Sequence, residues 1–369
     1  MPRLPKILQQ AGFEVGILCS DQNFLAKTQF VDRKFRFTKT KSSRKLLDQL
    51  VQAVQEWKPV LIVPGDETVV AFLHDLIRRS IVQPGLLSKQ VQEALRASFG
   101  DLRWFDATMI KDKTQQIAAD LNLRTPASLK VSNQAEALEG VEKIGYPVVL
   151  KKDFSWSGDG VRVCVDEREL LQSLPTFLPK ASFALKERLR AFLKRDWFPI
   201  NKVLSLQQYI EGRPAMYALV AFQGKVLAGY SAIPECTTSA TGPSSVVRFV
   251  NNAEMADVST KLVEHFGYSG FCGFDFMIEE STGNAYLLEC NPRPIPICHL
   301  GHKIGLDLGV ALYDGLKGIS SAKVPEIAQE RVIVLFPQEW KRDPSSPHIT
   351  QNDHDVPWDD PALLTAILA

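Results

Sequence analysis

Two apolar runs decide the fold of this chain, Gly270-Phe-Cys-Gly-Phe-Asp-Phe-Met-Ile278 and Tyr286-Leu-Leu-Glu-Cys-Asn-Pro-Arg-Pro294. The segment between them is polar and rich in turn formers, so the two runs predict a β-hairpin. The midpoint of its turn lies near residue 282, which places Asp275 opposite Glu289. Because side chains alternate along a strand, Glu289 and Asn291 share one face of the hairpin, and Asp275 faces the same way across the ladder.

Two carboxylates inside apolar strands need a partner, because like charges directly opposed across a ladder are destabilising. The pattern predicts a divalent cation bound by Asp275 and Glu289, with Asn291 adding a carbonyl oxygen and Arg293 a positive charge nearby. Mg²⁺ fits best, because proteins bind it through one or two carboxylates and leave other positions to phosphates and water. The alternative is a hairpin with one face in water and two ordinary surface acids, but both faces near Asp275 are apolar.

An Asp in a Gly-Phe-x-Asp-Phe strand followed by Leu-Leu-Glu-x-Asn-Pro-Arg resembles the metal-binding end of the ATP-grasp superfamily, of the carbamoyl-phosphate-synthase and biotin-carboxylase type. The resemblance covers residues 105–315 well and the N-terminal part loosely. It implies an α/β and α+β fold, in which an N-terminal Rossmann-like parallel sheet (the pre-ATP-grasp domain) precedes a two-subdomain ATP-grasp fold. The expected division is 1–105 for the Rossmann-like domain, 106–208 for the small subdomain, 209–320 for the large subdomain and 321–369 for a C-terminal tail.

The N-terminal part alternates strands and helices, which favours a doubly wound α/β arrangement. Val60–Pro64 is a short continuous apolar run, typical of a parallel strand buried on both faces. Asp66 and Glu67 follow it, where a helix from Thr68 to Arg79 begins. These acids either have a substrate-side role at the carboxyl end of the strand or simply favour the helix N-terminus. The chain starts almost in a helix, so either this domain is trimmed or the natural protein begins further upstream.

Composition sets broad limits on function. The 369 residues are 45% apolar and 23% charged with a net charge of +1, as in an ordinary globular protein without bulk attraction to nucleic acid or membranes. Six scattered cysteines without C-x-x-C spacing indicate reduced thiols, with Cys298 the best candidate for a reactive one. No signal peptide or membrane-spanning run is visible. We therefore expect a cytoplasmic protein with small-molecule partners, compatible with a homodimer.

The resemblance also implies a set of phosphate-binding residues. Lys111 precedes a helix at the place where the family has a lysine that contacts ATP phosphate, with Lys113 as the alternative. A strand ending at Lys151 and a loop containing Gly158 and Gly160 resemble the family's phosphate-covering loop. A glycine-bearing loop lets backbone N–H groups approach an anion, and a lysine at its mouth adds a point charge.

An adenine-binding hinge is implied at the segment between the two subdomains. By resemblance, the Gln208 carbonyl accepts from the exocyclic amine of adenine and the Ile210 N–H donates to the ring, while Tyr209 lies between them. Gln207 stands where many members carry an acid. The ribose acid expected just after this segment is missing, and Glu211 is the nearest substitute.

Three further features leave alternatives open. Arg248 in an apolar strand either points into the cleft, at phosphate or a substrate carboxylate, or forms a surface salt bridge. His299 is expected to line the substrate pocket, whereas His302 is expected to be structural. The basic amphipathic stretch 181–202 is expected to be a helix with a solvated face, and the alternative is docking of an acidic partner or a membrane surface.

The family's chemistry, carried over by resemblance, is ATP-dependent ligation. ATP converts a carboxylate into an acyl phosphate, and an amine displaces the phosphate. Two Mg²⁺ ions (or Mn²⁺) held by the hairpin would bridge the phosphates, while Lys111, Lys151, Arg293 and Arg248 offset charge. A phosphotransferase with the same nucleotide site and a non-catalytic nucleotide-binding module are the competing hypotheses.

Overall fold

The computed structural model describes residues 1–38, 43–152, 160–178, 204–239, 242–319 and 325–369. The strands in these ranges are β1 Gly16–Cys19, β2 Arg33–Arg36, β3 Ser128–Val131, β4 Val148–Lys152, β5 Val161–Cys164, β6 Leu204–Gln208, β7 Gly212–Phe222, β8 Lys225–Thr237, β9 Ser244–Val250, β10 Gly270–Glu279, β11 Ala285–Asn291, β12 Arg331–Val334 and β13 Asp353–His354. The helices are α1 Leu4–Gln10, α2 Ser43–Trp57, α3 Glu67–Val82, α4 Lys89–Phe99, α5 Phe105–Met109, α6 Lys111–Asp120, α7 Gln134–Ile144, α8 Glu167–Phe177, α9 Ala253–Phe266, α10 Leu308–Leu316, α11 Gln338–Arg342, α12 Pro347–Gln351 and α13 Pro361–Leu368. Short 3₁₀ turns cover Phe24–Ala26, Leu102–Trp104 and Gly301–Ile304. No helix in these ranges has both the length and the apolar character that a membrane crossing requires.

The N-terminal part packs helices beside a small parallel sheet of β1 and β2. The apolar face of α2 lies on a core, because Leu47, Leu50 and Val54 are buried there with residues of α3 and α4. The predicted strand Val60–Pro64 is wrong, since the structure assigns it to no sheet. The Ile62 N–H donates to the Ser98 side chain at 2.7 Å, so a helix satisfies this backbone instead of a neighbouring strand.

A four-stranded antiparallel sheet in the order β3-β6-β4-β5 forms the next layer. Its inner strand β4 is buried at Val148, Val149 and Leu150 and reaches the surface of the core at Lys151. Helices α7 and α8 cover one face through a shared apolar core. This sheet therefore presents Lys151 at the end of a rigid strand.

The largest sheet has seven strands in the order β11-β10-β7-β8-β9-β12-β13. Its strands alternate between two cores: Ala218 and Val220 pack with α1 and α10 on one face, whereas Leu219 and Ala221 pack with α9 on the other. The β7–β8 connection is a tight hairpin at Gln223 and Gly224, both with positive φ.

The C-terminal segment contributes strand β12, which pairs antiparallel with β9 and parallel with β13. Residues beyond 325 thus contribute strands to the large sheet. The segment ending at Pro361 is also tied to the body, because Asp360 accepts hydrogen bonds from the Thr28 hydroxyl at 2.5 Å and from the Gln29 N–H at 3.3 Å.

Candidate nucleotide and metal site

The predicted hairpin forms from β10 and β11, and Asp275 pairs directly with Glu289. The register shifts between Asp275 and Phe276, because Leu288 is an extra residue in β11. Leu287 and Cys290 therefore both enter the same apolar core although they are three residues apart. The bulge turns Glu289 away from that core and onto the face of Asp275, as bulges near functional sites commonly do.

The oxygen-bearing side chains on this face contact one another. The Asn291 amide donates to Asp275 Oδ2 at 3.1 Å. Burial, followed by the charge of Glu289, raises the pKa of Asp275. Burial would also raise the pKa of Glu289, but Lys111, the hydrogen bond with Asp275 and Lys151 outweigh it and lower that pKa. Asp275 and Glu289 can therefore both be ionised only when further positive charge lies beside them.

Lys111 and Lys113 are separated by the structure. Lys111, the first residue of α6, forms an ion pair with Glu289. Lys113 instead pairs with Asp106 at 2.9 Å and is about half exposed. Of the two predicted phosphate lysines, Lys111 is the one that lies beside the carboxylates.

Lys151 at the end of β4 is the second cation at this place. Burial lowers its pKa most, Glu289 and Asp275 raise it, and Lys111 lowers it, so that the pKa lies at about 8. These electrostatic interactions place the Lys151 ammonium in the same cluster as the carboxylates. The small sheet and the hairpin therefore both contribute charged groups to one site.

Arg293 follows the hairpin and contacts Glu67 at the start of α3. Its Nε donates to Glu67 Oε1 at 2.6 Å, and its Nη2 donates to the same oxygen. Its Nη1 donates to the Pro294 carbonyl at 3.0 Å. The two predicted acids thus differ, since Asp66 caps α3 by accepting from the Val69 N–H at 2.8 Å, whereas Glu67 reaches the candidate site.

A residue that the sequence analysis missed, Gln115, connects three elements of the site. Its amide donates to the carbonyl of the bulge residue Leu288 at 3.0 Å, and its oxygen accepts from Gln207 Nε2 at 3.0 Å. Both glutamines are buried. Gln115 lies four residues after Lys111, and this i, i+4 spacing on one helix face is the sequence signal that points to it.

The hinge residues lie at the junction of β6 and β7. Gln208 pairs with Ala127 through both its backbone N–H, at 2.8 Å, and its side-chain oxygen, at 3.2 Å. Ile210 is buried and Tyr209 is partly exposed. The Glu211 carbonyl accepts from the Glu280 N–H at 2.9 Å, so the hinge contacts the turn of the hairpin.

The glycine loop is only partly described. Gly158 lies outside the described residues, whereas the Gly160 carbonyl accepts from the Lys152 N–H at 2.9 Å at the base of the loop. The stretch 181–202 also lies outside the described residues.

The prediction that Arg248 points into the cleft is wrong. Across the large sheet Asp275 pairs with Met216, Met216 with Ala232, and Ala232 with Phe249, so these four share a face. Arg248, next to Phe249, therefore lies on the opposite face. It forms an ion pair with Glu235 there, which is the surface salt bridge that the sequence left open.

His299, in the segment after Arg293, is buried and has a carboxylate partner. His299 Nε2 lies 3.1 Å from Asp355 Oδ2, and burial lowers the pKa of His299. His302 Nδ1 contacts the His299 carbonyl at 2.9 Å, which agrees with a structural role. The prediction that His299 lines the substrate pocket did not include this contact with Asp355. Burial raises the pKa of Cys298 to about 12, so this thiol is not the reactive one that its neighbourhood suggested.

Comparison with known proteins identifies the fold. The family model "Carbamoyl-phosphate synthase L chain, ATP binding domain" matches residues 111–195. The carbamoyl phosphate synthase large chain of Sulfurisphaera tokodaii is 22% identical over 340 residues, which cover 82% of this chain and 29% of that protein. The corresponding protein of Clostridium botulinum is 21% identical over 359 residues, 91% of this chain and 30% of that protein. The chain thus spans less than a third of the length of these curated relatives.

Solved structures give the same result. The Campylobacter jejuni biotin carboxylase–β,γ-ATP complex superposes with a TM-score of 0.63 at 15% identity, over 89% of this chain and 72% of that one. The Hydrogenobacter thermophilus 2-oxoglutarate carboxylase biotin carboxylase domain dimer, with MgADP and bicarbonate, gives 0.62 at 16% identity over 89% and 70%. The Bacillus licheniformis L-amino acid ligase gives 0.60 at 17% identity over 90% and 77%.

The class of protein follows from these matches: the chain has the ATP-grasp fold. The resemblance inferred from the hairpin is confirmed, and the chain is a distant relative of the carbamoyl phosphate synthase large chains.

Proposed function

We propose that this chain is an ATP-dependent, Mg²⁺-dependent ligase that activates a carboxylate as an acyl phosphate and joins it to an amine. One observation carries the proposal: the bulged hairpin brings Asp275, Glu289 and Asn291 onto one face beside Lys111 and Lys151. The ligases and carboxylases that share the fold support it, as does the MgADP in the Hydrogenobacter enzyme.

The donor set fits Mg²⁺. In the ranges that the structure describes, no group of three or more His, Cys, Asp or Glu side chains is placed to hold a metal, so the set is two carboxylates and the Asn291 amide. Hard oxygen donors in this number suit Mg²⁺ (or Mn²⁺), which takes its remaining ligands from nucleotide phosphates and water. Bound there, one or two ions would neutralise the phosphate oxygens of ATP.

The cations of the site would bind the phosphates directly. In the described structure Lys111 is paired with Glu289, and Arg293 with Glu67. A cation bound by Glu289 would weaken the Lys111–Glu289 pair and would so favour a contact of the Lys111 ammonium with a phosphate oxygen. Lys151 supplies a second point charge from a rigid strand, which suits a group that must meet the nucleotide in a fixed place.

The remaining chemistry needs positioning rather than a protein nucleophile. The substrate carboxylate attacks the γ-phosphorus, ADP leaves, and the amine then attacks the acyl carbon and releases phosphate. Charge develops on the phosphoryl oxygens in the first step, and Lys151 and Arg293 are the groups we assign to it. The hinge residues Gln208 and Ile210 are proposed to bind adenine through their backbone groups.

Nucleotide-dependent thermal unfolding tests the proposal. Saturation to a hundred times Kd should stabilise the wild type by about 2.7 kcal/mol, and the effect should require Mg²⁺ and disappear in Glu289→Gln. Phosphate release should then require both a carboxylate and an amine. Formation of ADP and a phosphorylated substrate, without free phosphate and without need of an amine, would instead indicate a phosphotransferase, and the absence of any shift at millimolar MgATP would overturn the proposal. Light scattering of the same samples tests the homodimer that remains part of the proposal.

A further inference from the structure

The contact between Arg293 and Glu67 joins residues that are 226 positions apart in the chain. Both side chains are about four-fifths buried, at 19% and 21% exposure. Glu67 is the first residue of a 16-residue helix whose N-terminus is fixed by the Asp66 cap. Because the backbone of Glu67 is held in this capped helix turn, the two hydrogen bonds that its carboxylate accepts fix the guanidinium relative to the helix.

The hydrogen bonds of Arg293 leave two of its N–H donors for a ligand. Arginine has five N–H donors in a rigid fork. Glu67 accepts from Nε and Nη2, and the Pro294 carbonyl accepts from Nη1. One N–H on each terminal nitrogen remains without a hydrogen-bond partner among the described residues. Two such donors on adjacent nitrogens suit two oxygens of a single phosphate or carboxylate.

We propose that Glu67 is a positioning residue for Arg293: it fixes the guanidinium so that the terminal N–H groups bind the oxygens of the phosphoryl group during transfer. This inference rests on the proposed function. It assigns to the N-terminal part of the chain a direct influence on the chemical step, through a carboxylate that itself contacts neither nucleotide nor metal.

The Arg248–Glu235 pair on the large sheet supplies a matched control. Arg248 and Glu235 make the same kind of Nε–carboxylate contact, but they lie on the opposite face and Arg248 is 42% exposed. Glu235→Gln should therefore leave the nucleotide site unchanged while removing a comparable ion pair. Thermal unfolding without ligand shows whether each variant folds.

Binding of MgADP with and without aluminium fluoride tests the inference, because fluoroaluminate imitates the phosphoryl group in transfer and no carboxylate substrate is required. The variants are Glu67→Gln, Glu67→Asp, Arg293→Ala and the double variant Glu67→Gln/Arg293→Ala. We expect the affinity of Glu67→Gln and Glu67→Asp for MgADP alone to stay within about twofold of the wild-type affinity. Fluoroaluminate should increase the affinity of the wild type for MgADP. In Glu67→Gln this increase should be smaller by about tenfold to a hundredfold, the usual effect of removing a group that orients a functional side chain. Glu67→Asp should restore part of it, and the double variant should be no weaker than Arg293→Ala.

The outcomes separate the two proposals. Normal tightening in Glu67→Gln, or losses that add in the double variant, would show that Glu67 does not act through Arg293. A wild type that binds MgADP without any tightening would also overturn the inference but leave the nucleotide site intact. A wild type that does not bind MgADP would overturn the proposed function itself.

Discussion

Asp275 and Glu289 face one another across neighbouring strands because β11 carries one extra residue, Leu288, directly before Glu289. In an unbroken ladder Glu289 would share the face of Leu287, which is fully buried in the core under α9. The carboxylate pair thus depends on a local irregularity. The Leu288 carbonyl, displaced from the regular ladder, is bound by Gln115.

Gln115→Ala should therefore loosen the carboxylate pair. It leaves the partly buried Leu288 carbonyl and the buried Gln207 amide without their partner, which should lower the free energy of unfolding by about 1–3 kcal/mol. It should also weaken the Mg²⁺-dependent stabilisation by nucleotide. Urea unfolding with and without MgADP measures both effects. The neighbouring Gln116, exposed and bonded only to Asp120 in the described structure, provides the control, and equal effects of Gln116→Ala would contradict this role.

Lys111→Ala and Lys113→Ala should differ, although both lysines lie in the first turn of α6. Lys111 contacts Glu289, whereas Lys113 contacts Asp106. Loss of a charge-assisted bond to phosphate of about 1.5–3 kcal/mol weakens binding by roughly tenfold to a hundredfold. Calorimetric titration with MgADP should show this loss for Lys111→Ala and near wild-type affinity for Lys113→Ala. The reverse order would mean that nucleotide binding rearranges this turn.

Arg248→Ala should have little effect on the nucleotide site. The Arg248–Glu235 pair is partly exposed, and pairs of this kind contribute about 0–1 kcal/mol. MgADP affinity should stay unchanged and the melting temperature should move only slightly. A large loss of MgADP affinity would indicate that Arg248 reaches the nucleotide, and this would contradict its position on the opposite face of the sheet.

Stability should fall as the pH drops below the ordinary pKa of histidine, because His74 is buried and stacked on Phe105 at 3.7 Å between ring centroids. Burial lowers the pKa of His74 to about 3. A pKa depressed in the folded state gives stability that is present above the unfolded pKa near 6.5 and lost as the pH falls toward 3. The slope should approach about 1.4 kcal/mol per pH unit from this group. His74→Leu should reduce that slope in urea unfolding between pH 6.5 and pH 4, and an unchanged slope would assign the pH dependence to other groups.

The hairpin could be predicted because its signals are local: a turn, period-2 alternation and two acids at matching distances from the turn. Other features depend on pairing that the sequence does not encode locally. An apolar run such as Val60–Pro64 has the same composition whether it pairs with strands or packs against helices. The face of Arg248 follows from three successive strand pairings. The contact of Glu67 with Arg293 joins distant segments, so sequence could propose a role for Glu67 but not its partner.

The C-terminal strands have a consequence for the behaviour of the protein in solution. Strand β9 pairs with β8 on one side, and β12 occupies its other side along Val246–Phe249. Without β12 those four residues would offer open N–H and C=O groups on a long apolar strand, which is a template for intermolecular strand pairing. Residues 325–369 therefore protect the sheet that carries the carboxylates from aggregation. A shortened version of the chain that lacks them should self-associate before it loses its secondary structure.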